Sequence, residues 1–181
     1  IEQLNALLSS SVSSRLIADV PLGVFLSGGI DSSTIAYYAQ KNSDKKIKTF
    51  SIGFEDKSYD ESDYARLVSN HLDTEHYSET LSTAKLLSII PEVYNFIDEP
   101  FADASIIPTY YLSQITRQQV TVAIGGDGSD EMFGGYPTFI ANEYIKYYAF
   151  LPNFVKKTMN SLISLLPVSD KNISFDFKLK Q

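Results

Sequence analysis

With 181 residues, 44% of them hydrophobic and 13% aromatic, the chain can bury one substantial core and is excluded from the disordered class. Its 15 Lys and Arg against 22 Asp and Glu give a net charge of -7, with no basic stripe of the kind that follows a nucleic-acid backbone. No apolar run nears the roughly 18 residues that a membrane span requires, nothing resembles a signal peptide, and the absence of cysteine removes disulfides, thiolate metal sites and thiol nucleophiles, which fits a reducing cytoplasm.

An amphipathic helix is expected over residues 1–18, followed by a buried strand at 20–26 (VPLGVFL) and a helix at 32–41. A second strand covers 47–54 (IKTFSIGF), a helix 61–72 and a short strand 75–79. Helices follow at 84–96, despite Pro91, and at 107–117. The last strand is 120–124 (VTVAI), with helices at 136–150 and 153–165 behind it. Strands separated by helices pair in parallel through crossovers, so the expected fold is α/β, a doubly wound parallel sheet with helices on both faces. In such sheets ligands lie beyond the carboxyl ends of the strands, near the point where strand order reverses. The unusual residues fall there: SGGIDSS after the first strand, EDKSYDES after the second, GGDGSDEMFGGY after the fourth. A lone N-x-S match at Asn172 reads as chance, and a chain that starts at Ile1 and ends on FDFKLKQ reads as a fragment.

SGGIDSS is a strand-to-helix turn. Gly28 and Gly29 permit positive φ and close approach, and Asp31 and Ser32 are residue types that cap helix N-termini. A helix N-terminus fed by such a turn also presents unpaired N–H groups and a partial positive charge, a setting for phosphate. It is not the P-loop of ordinary NTPases, since no G-x-x-x-x-G-K-[ST] occurs. Asp31 would repel phosphate unless a cation lay between them, and Mg²⁺ is the hard ion that accompanies nucleotide phosphates.

The segment 125–136 places five glycines and the carboxylates of Asp127, Asp130 and Glu131 in twelve residues. It is expected to be irregular, and to face SGGIDSS so that Asp31 and Asp130 hold one Mg²⁺ from two sides. Other groups carry plainer expectations. His71 and His76 read as surface residues. Asp60, Glu61 and Asp63 read as a capped, acidic first helical turn. Paired tyrosines such as Tyr37–Tyr38 and Tyr110–Tyr111 read as packing. DEPFAD, with Asp98, Glu99 and Asp103, reads by itself as a helix-breaking loop.

Together the runs RLIADVPLGVFLSGGIDSS, FSIGF, DEPFADASIIPTYYLS and GGDGSDEMFGGY, in that order over residues 15–136, resemble the synthetase domain of glutamine-hydrolysing asparagine synthetases. SGGxDS alone is shared with GMP synthetases, NAD synthetases and other ATP pyrophosphatases. The resemblance implies the PP-loop, adenine nucleotide alpha hydrolase-like version of the fold. It also implies a ligase that cleaves ATP between its α and β phosphates, forms an acyl-adenylate and amidates a small-molecule carboxylate with ammonia.

Carried over by position, Ser27, Gly28, Gly29, Asp31 and Ser32 hold pyrophosphate, Asp31 and Asp130 bind Mg²⁺, and Leu26, Ile52 and the backbone of Gly125 and Gly126 contact the AMP portion. Asp127 stands where the family carries an acidic residue, often Glu, that handles the intermediate and the incoming amine. Aspartate is the expected substrate, with another carboxylate such as a sugar acid as the alternative. The family's glutaminase domain, with its N-terminal Cys, and a downstream Lys are expected outside residues 1–181, which form part of a synthetase domain. Such a fragment would bind better than it catalyses, and a nucleotide-binding module without turnover is the second reading. The expected partners are the carboxylate and ammonia from the glutaminase domain, with neither nucleic acid nor membrane; a homo-oligomer is compatible.

Overall fold

The computed structural model describes residues 1–100 and 102–164. The chain divides into two compact units, Ile1–Gly126 and Asp127–Gln181. In the first, α1 (Glu2–Arg15), β1 (Leu22–Phe25), α2 (Ile30–Lys41), β2 (Lys48–Phe54), α3 (Ser62–Leu72), β3 (Glu75–Leu81), α4 (Thr83–Tyr94), α5 (Ile106–Arg117) and β4 (Val122–Ile124) follow one another. The second begins with α6 (Ser129–Phe133), α7 (Pro137–Ala149) and α8 (Asn153–Ser164). Leu165, Phe101 and Asn172 lie outside the described residues.

The four strands form one sheet in the order β3-β2-β1-β4, and every pairing is parallel. The chain moves outward from β1 to β3 on one side and returns to the other side of β1 with β4. Strand order therefore reverses between β1 and β4. The expected doubly wound parallel sheet is the observed fold.

Period-two alternation in β2 explains the two faces. Ile52 and Phe54 pack with Leu81, Ile89, Tyr111 and Ile115 from β3, α4 and α5. On the opposite side Val24 of β1 and Leu26 just after it join Val12, Ala36, Ala39 and Ala65 from α1, α2 and α3. The three alanines are fully buried, and their small side chains let α2 and α3 lie close to the sheet. Gly23 has a similar reason: a Cβ there would sit 2.5 Å from the ring of Phe50, itself buried and stacked on Tyr77 at 5.3 Å.

Several expected boundaries shift. β1 starts at Leu22 rather than residue 20, after Pro21, whose carbonyl accepts the N–H groups of Thr121 and Val122 and which has no N–H for a ladder. β3 runs on to Leu81 in full register with β2. Segment 125–136 is not wholly irregular, because α6 forms between Gly128 (φ 88°) and Gly134 (φ 71°), two glycines that take the left-handed conformation at its ends.

His76 is not a surface residue. It is half-buried beside Thr49 and Ser51, both buried on β2. Ser51 Oγ donates to Ser78 Oγ (3.0 Å), so it accepts from His76 Nε2–H (3.2 Å). His76 Nδ1 is then left to accept from the Thr49 hydroxyl (2.9 Å), whose oxygen accepts from Thr74 (2.9 Å). This assigns the neutral tautomer with its proton on Nε2. An unpartnered buried hydroxyl would cost about 1–3 kcal/mol, and the cross-strand chain avoids that cost at each position.

Burial first, and the charge of Arg66 on α3 second, push the His76 pKa below its ordinary 6.5. The unfolded chain therefore takes up a proton that the folded chain resists. The stabilisation is complete above pH 6.5 and falls as pH drops through that value toward the lower folded-state pKa. The urea midpoint of the wild type should fall more between pH 7.5 and 5 than that of His76→Gln. Equal falls would show that His76 is not held neutral.

Candidate functional site

The reversal of strand order places the loops after β1 and β4 side by side, and residues from both loops meet there. A Cβ on Gly126 would lie 3.1 Å from Ser32 N, 3.2 Å from the Asp31 carbonyl carbon and 3.3 Å from Asp31 Cβ. The end of the β4 loop thus rests on the first turn of α2, backbone against backbone. Only a glycine fits there without displacing its neighbours.

The turn between β1 and α2 is held by its own hydroxyls. Ser27 N–H donates to Ser32 Oγ (3.2 Å), the two serine hydroxyls are 3.0 Å apart, and Gly29 N–H donates to Ser27 Oγ (3.2 Å). Ser32 Oγ also donates to the Gly29 carbonyl (3.3 Å), which accepts Ser33 N–H as well (3.0 Å). The N-cap is Gly29, with no side-chain cap bond. Asp31 and Ser32 therefore sit inside the first turn rather than capping it. The shift follows from Ser32 closing the turn back to Ser27 instead of turning forward to the helix amides. Ser27, Gly28, Gly29, Asp31, Ser32 and Gly126 are gathered in one small region, at a helix end carrying about half a positive charge.

Gly28 is the most constrained member. Its φ is +88°, and a Cβ would meet Ala65 N, the Tyr64 carbonyl carbon and Tyr64 Cβ, each at 2.5 Å. The turn therefore lies directly on the first turn of α3. Left-handed φ costs a side-chain-bearing residue about 1–3 kcal/mol, and overpacking against a wall of main chain costs about 1–3 kcal/mol more. Gly28→Ala should show a loss of at least about 2 kcal/mol in urea unfolding at constant m-value. A loss under about 0.5 kcal/mol would mean that the turn does not bear on α3.

Leu26 directly precedes this turn, and the neighbouring strand β2 carries Ile52. The Leu26 side chain is 1% exposed and belongs to the core, and its N–H donates to Phe50 O (2.8 Å). Any ligand contact at Leu26 is confined to its main chain. Ile52 is half-buried near the end of β2, and Gly125, half-buried, follows β4 directly.

Asp127 and Asp130 belong to the second unit. Asp127 is exposed and precedes the left-handed Gly128. Asp130, in the first turn of α6, folds its Oδ1 over Gly135, in the space a Cβ there would fill, and its carbonyl accepts Gly135 N–H (3.0 Å). Glu131 accepts from Tyr136 Oη (2.7 Å), which holds its carboxyl below the usual range. Among the described residues no group of three or more His, Cys, Asp or Glu could enclose a metal. The donors at hand are isolated carboxylates and hydroxyls. That set suits Mg²⁺, which keeps waters and substrate phosphates as most of its ligands and needs only one or two carboxylates.

Of the DEPFAD carboxylates, Asp98 and Glu99 are exposed. Asp103 borders an apolar cavity of about 290 Å³ lined by Ile90, Val93, Tyr94, Ile97 and Ile106 among others. Its Oδ1 accepts Ser105 N–H (2.8 Å), which lowers its pKa.

Sequence reasoning missed Asp60 as a structural group. Its side chain is 5% exposed and ion-paired with Lys57 (2.8 Å). The Lys57 hydrogen bond, with those from Ser62 and the backbone, holds its carboxyl well below the usual range. The signal lay in Gly53 of FSIGF, where a Cβ would come 2.8 Å from Asp60 Oδ1.

A family model described as asparagine synthase matches residues 3–171. A putative asparagine synthetase [glutamine-hydrolyzing] 2 of Methanocaldococcus jannaschii is 39% identical over 175 residues, covering 91% of this chain and 34% of that protein. Asparagine synthetase [glutamine-hydrolyzing] 1 of Bacillus subtilis is 34% identical over 167 residues, covering 92% of this chain and 26% of its own length. The chain thus spans about a quarter to a third of the curated relatives it matches. Among solved structures, an NMN synthetase of Francisella tularensis superposes with a TM-score of 0.52 at 21% identity, over 75% of this chain and 58% of that one. An NH3-dependent NAD synthetase of Campylobacter jejuni gives 0.50 at 15% identity, over 75% and 60%. At these identities the likeness concerns the fold alone. Among the described residues no helix is long and apolar enough to cross a membrane.

Proposed function

The chain belongs to the asparagine synthase family, and from that premise we propose that it is the ATP-handling part of a cytoplasmic ligase that amidates a carboxylate. The observation that carries the reading is the seating of Gly126 on the first turn of α2 at the strand-order reversal, where open-sheet proteins bind their ligands.

In the proposed reaction a carboxylate oxygen of the substrate attacks the α phosphorus of ATP, and the bond to the β,γ-pyrophosphate breaks. Ammonia then attacks the acyl carbon of the adenylate, AMP departs with the former carboxylate oxygen, and the amine loses a proton. The N–H groups at the start of α2, with the hydroxyls of Ser27 and Ser32, hold the pyrophosphate. Gly28 and Gly29 keep that space open. The main chain at Leu26, Gly125 and Gly126, with Ile52 beside them, borders the AMP portion. Asp31 and Asp130 would hold Mg²⁺. Bound with ATP, that cation would stabilise charge building on the leaving pyrophosphate. Asp127 takes the proton from the attacking amine.

Aspartate is the proposed substrate, and ammonia would come from glutamine through a domain outside residues 1–181. The test is glutamine-dependent AMP release by the complete protein with aspartate and, separately, with a panel of other carboxylic acids. Release with aspartate alone supports the reading, release with another acid moves the substrate, and no release with any acid removes the activity.

A further inference from the structure

The turn that binds phosphate under this reading leans on α3, and α3 is itself fastened by a carboxylate that touches neither ligand nor turn. Asp60 Oδ1 accepts Phe54 N–H at the end of β2 (3.4 Å) and Ser62 N–H at the start of α3 (3.2 Å). Its Oδ2 pairs with Lys57 (2.8 Å), and the side chain is shut off from solvent. Ser62 opens the helical turn whose next members, Tyr64 and Ala65, both donate to the Glu61 carbonyl (3.0 and 3.2 Å). Those two residues form the wall 2.5 Å from where a Gly28 Cβ would be.

We propose that Asp60 is a positioning residue for the nucleotide turn: by tying the end of β2 to the start of α3 it fixes the surface on which Gly28 rests, and so the spacing of Ser27, Gly29 and Ser32. This rests on the ATP reading of that turn. Two adjacent contacts transmit the constraint. A carboxylate suits the position because one oxygen takes two amides while the other takes an ammonium, and the charge strengthens these bonds and the one from the Ser62 side chain. Gly53 is part of the device, since a Cβ there would come 2.8 Å from Oδ1 and crowd it.

The division of labour within Asp60 makes the inference testable. Asn keeps an oxygen for the two N–H groups and gives up the ion pair, whereas Ala leaves both amides without their acceptor. Lys57→Met removes the same ion pair and leaves both amide bonds, so it should weaken ATP binding no more than Asp60→Asn. Mg²⁺-ATP binding by this chain should be measured by calorimetry at a temperature where each variant is fully folded. Amide hydrogen exchange should be followed alongside it at Ser27, Gly29 and Ser33.

Asp60→Ala should weaken binding at least about tenfold, in line with the sensitivity of positioned groups to displacements near 1 Å. Asp60→Asn should recover most of that loss. The three turn amides should exchange faster in Asp60→Ala while those of α1 do not. Where Asp60→Ala fails to fold, Gly53→Ala displaces the carboxylate without removing it and should reproduce the loss. A folded Asp60→Ala that melts earlier yet binds ATP within about twofold of wild type would make Asp60 merely stabilising and overturn the proposal. A wild type that binds no ATP would instead remove the ATP reading. The exchange comparison then decides for Asp60 alone: faster turn amides uphold the coupling, and unchanged ones end it.

Discussion

Asp31→Ala should weaken binding of ATP in the presence of Mg²⁺ by about a hundredfold, and should strengthen binding of ATP in its absence by a factor of similar size. The opposite signs arise because Asp31 stands in the first turn of α2, among the N–H groups assigned to pyrophosphate. At about 5 Å and an effective dielectric near 20, a carboxylate and a phosphate charge repel by roughly 3 kcal/mol, which is about a hundredfold in affinity. Without a cation, removing Asp31 relieves that repulsion. With a cation between them the same carboxylate is an attraction of similar size. Calorimetric titrations with and without Mg²⁺ separate the two cases. Affinity that is unchanged in both would remove Asp31 from the site.

Asp127→Asn should separate binding from chemistry. Asp127 carries the wrong charge to attract phosphate, and its proposed task begins only when ammonia attacks the adenylate. In the complete protein ATP affinity should stay near wild type, and so should glutamine hydrolysis, the task proposed for the other domain. Amide formation should fall at least about a hundredfold, the lower end of the 10² to 10⁴ that general acid–base groups contribute. A parallel loss of ATP affinity would reassign Asp127 to the metal. Full amide formation would return it to an exposed acidic loop.

What could be read in the sequence was what periodicity and composition carry. The alternation of strands with helices was enough for the parallel sheet, because period-two runs such as IKTFSIGF and helical runs such as SSTIAYYAQ differ plainly. The glycine-rich segments after the first and fourth strands were legible as candidate sites from their composition, although α6 forms inside the second. Features that depend on which long-range partner a side chain meets were not. His76 and Thr49 lie 27 positions apart, and only their register across β2 and β3 makes the histidine half-buried beside that hydroxyl. Asp60 read as part of a capped, acidic first helical turn, and its bond to Ser62 N–H is local in that way, but the amide of Phe54 becomes its neighbour only when the β2–α3 loop closes. Gly28 was legible as a turn glycine, but its contact with Tyr64 and Ala65 belongs to tertiary packing. The cap at Gly29, in place of Asp31 or Ser32, came from the cross-turn bond between the two serine hydroxyls, which local propensity does not encode.

The central claim, that ATP is cleaved between its α and β phosphates by attack of a carboxylate, leaves a mark on one oxygen atom. The complete protein should be supplied with the amidated acid labelled with ¹⁸O in its carboxylate, together with ATP, Mg²⁺ and glutamine, and the products examined by mass spectrometry. The account predicts that AMP and pyrophosphate form, and that each AMP formed with amide carries one labelled oxygen from the acid. ADP and inorganic phosphate as products, with the label in the phosphate, would contradict it.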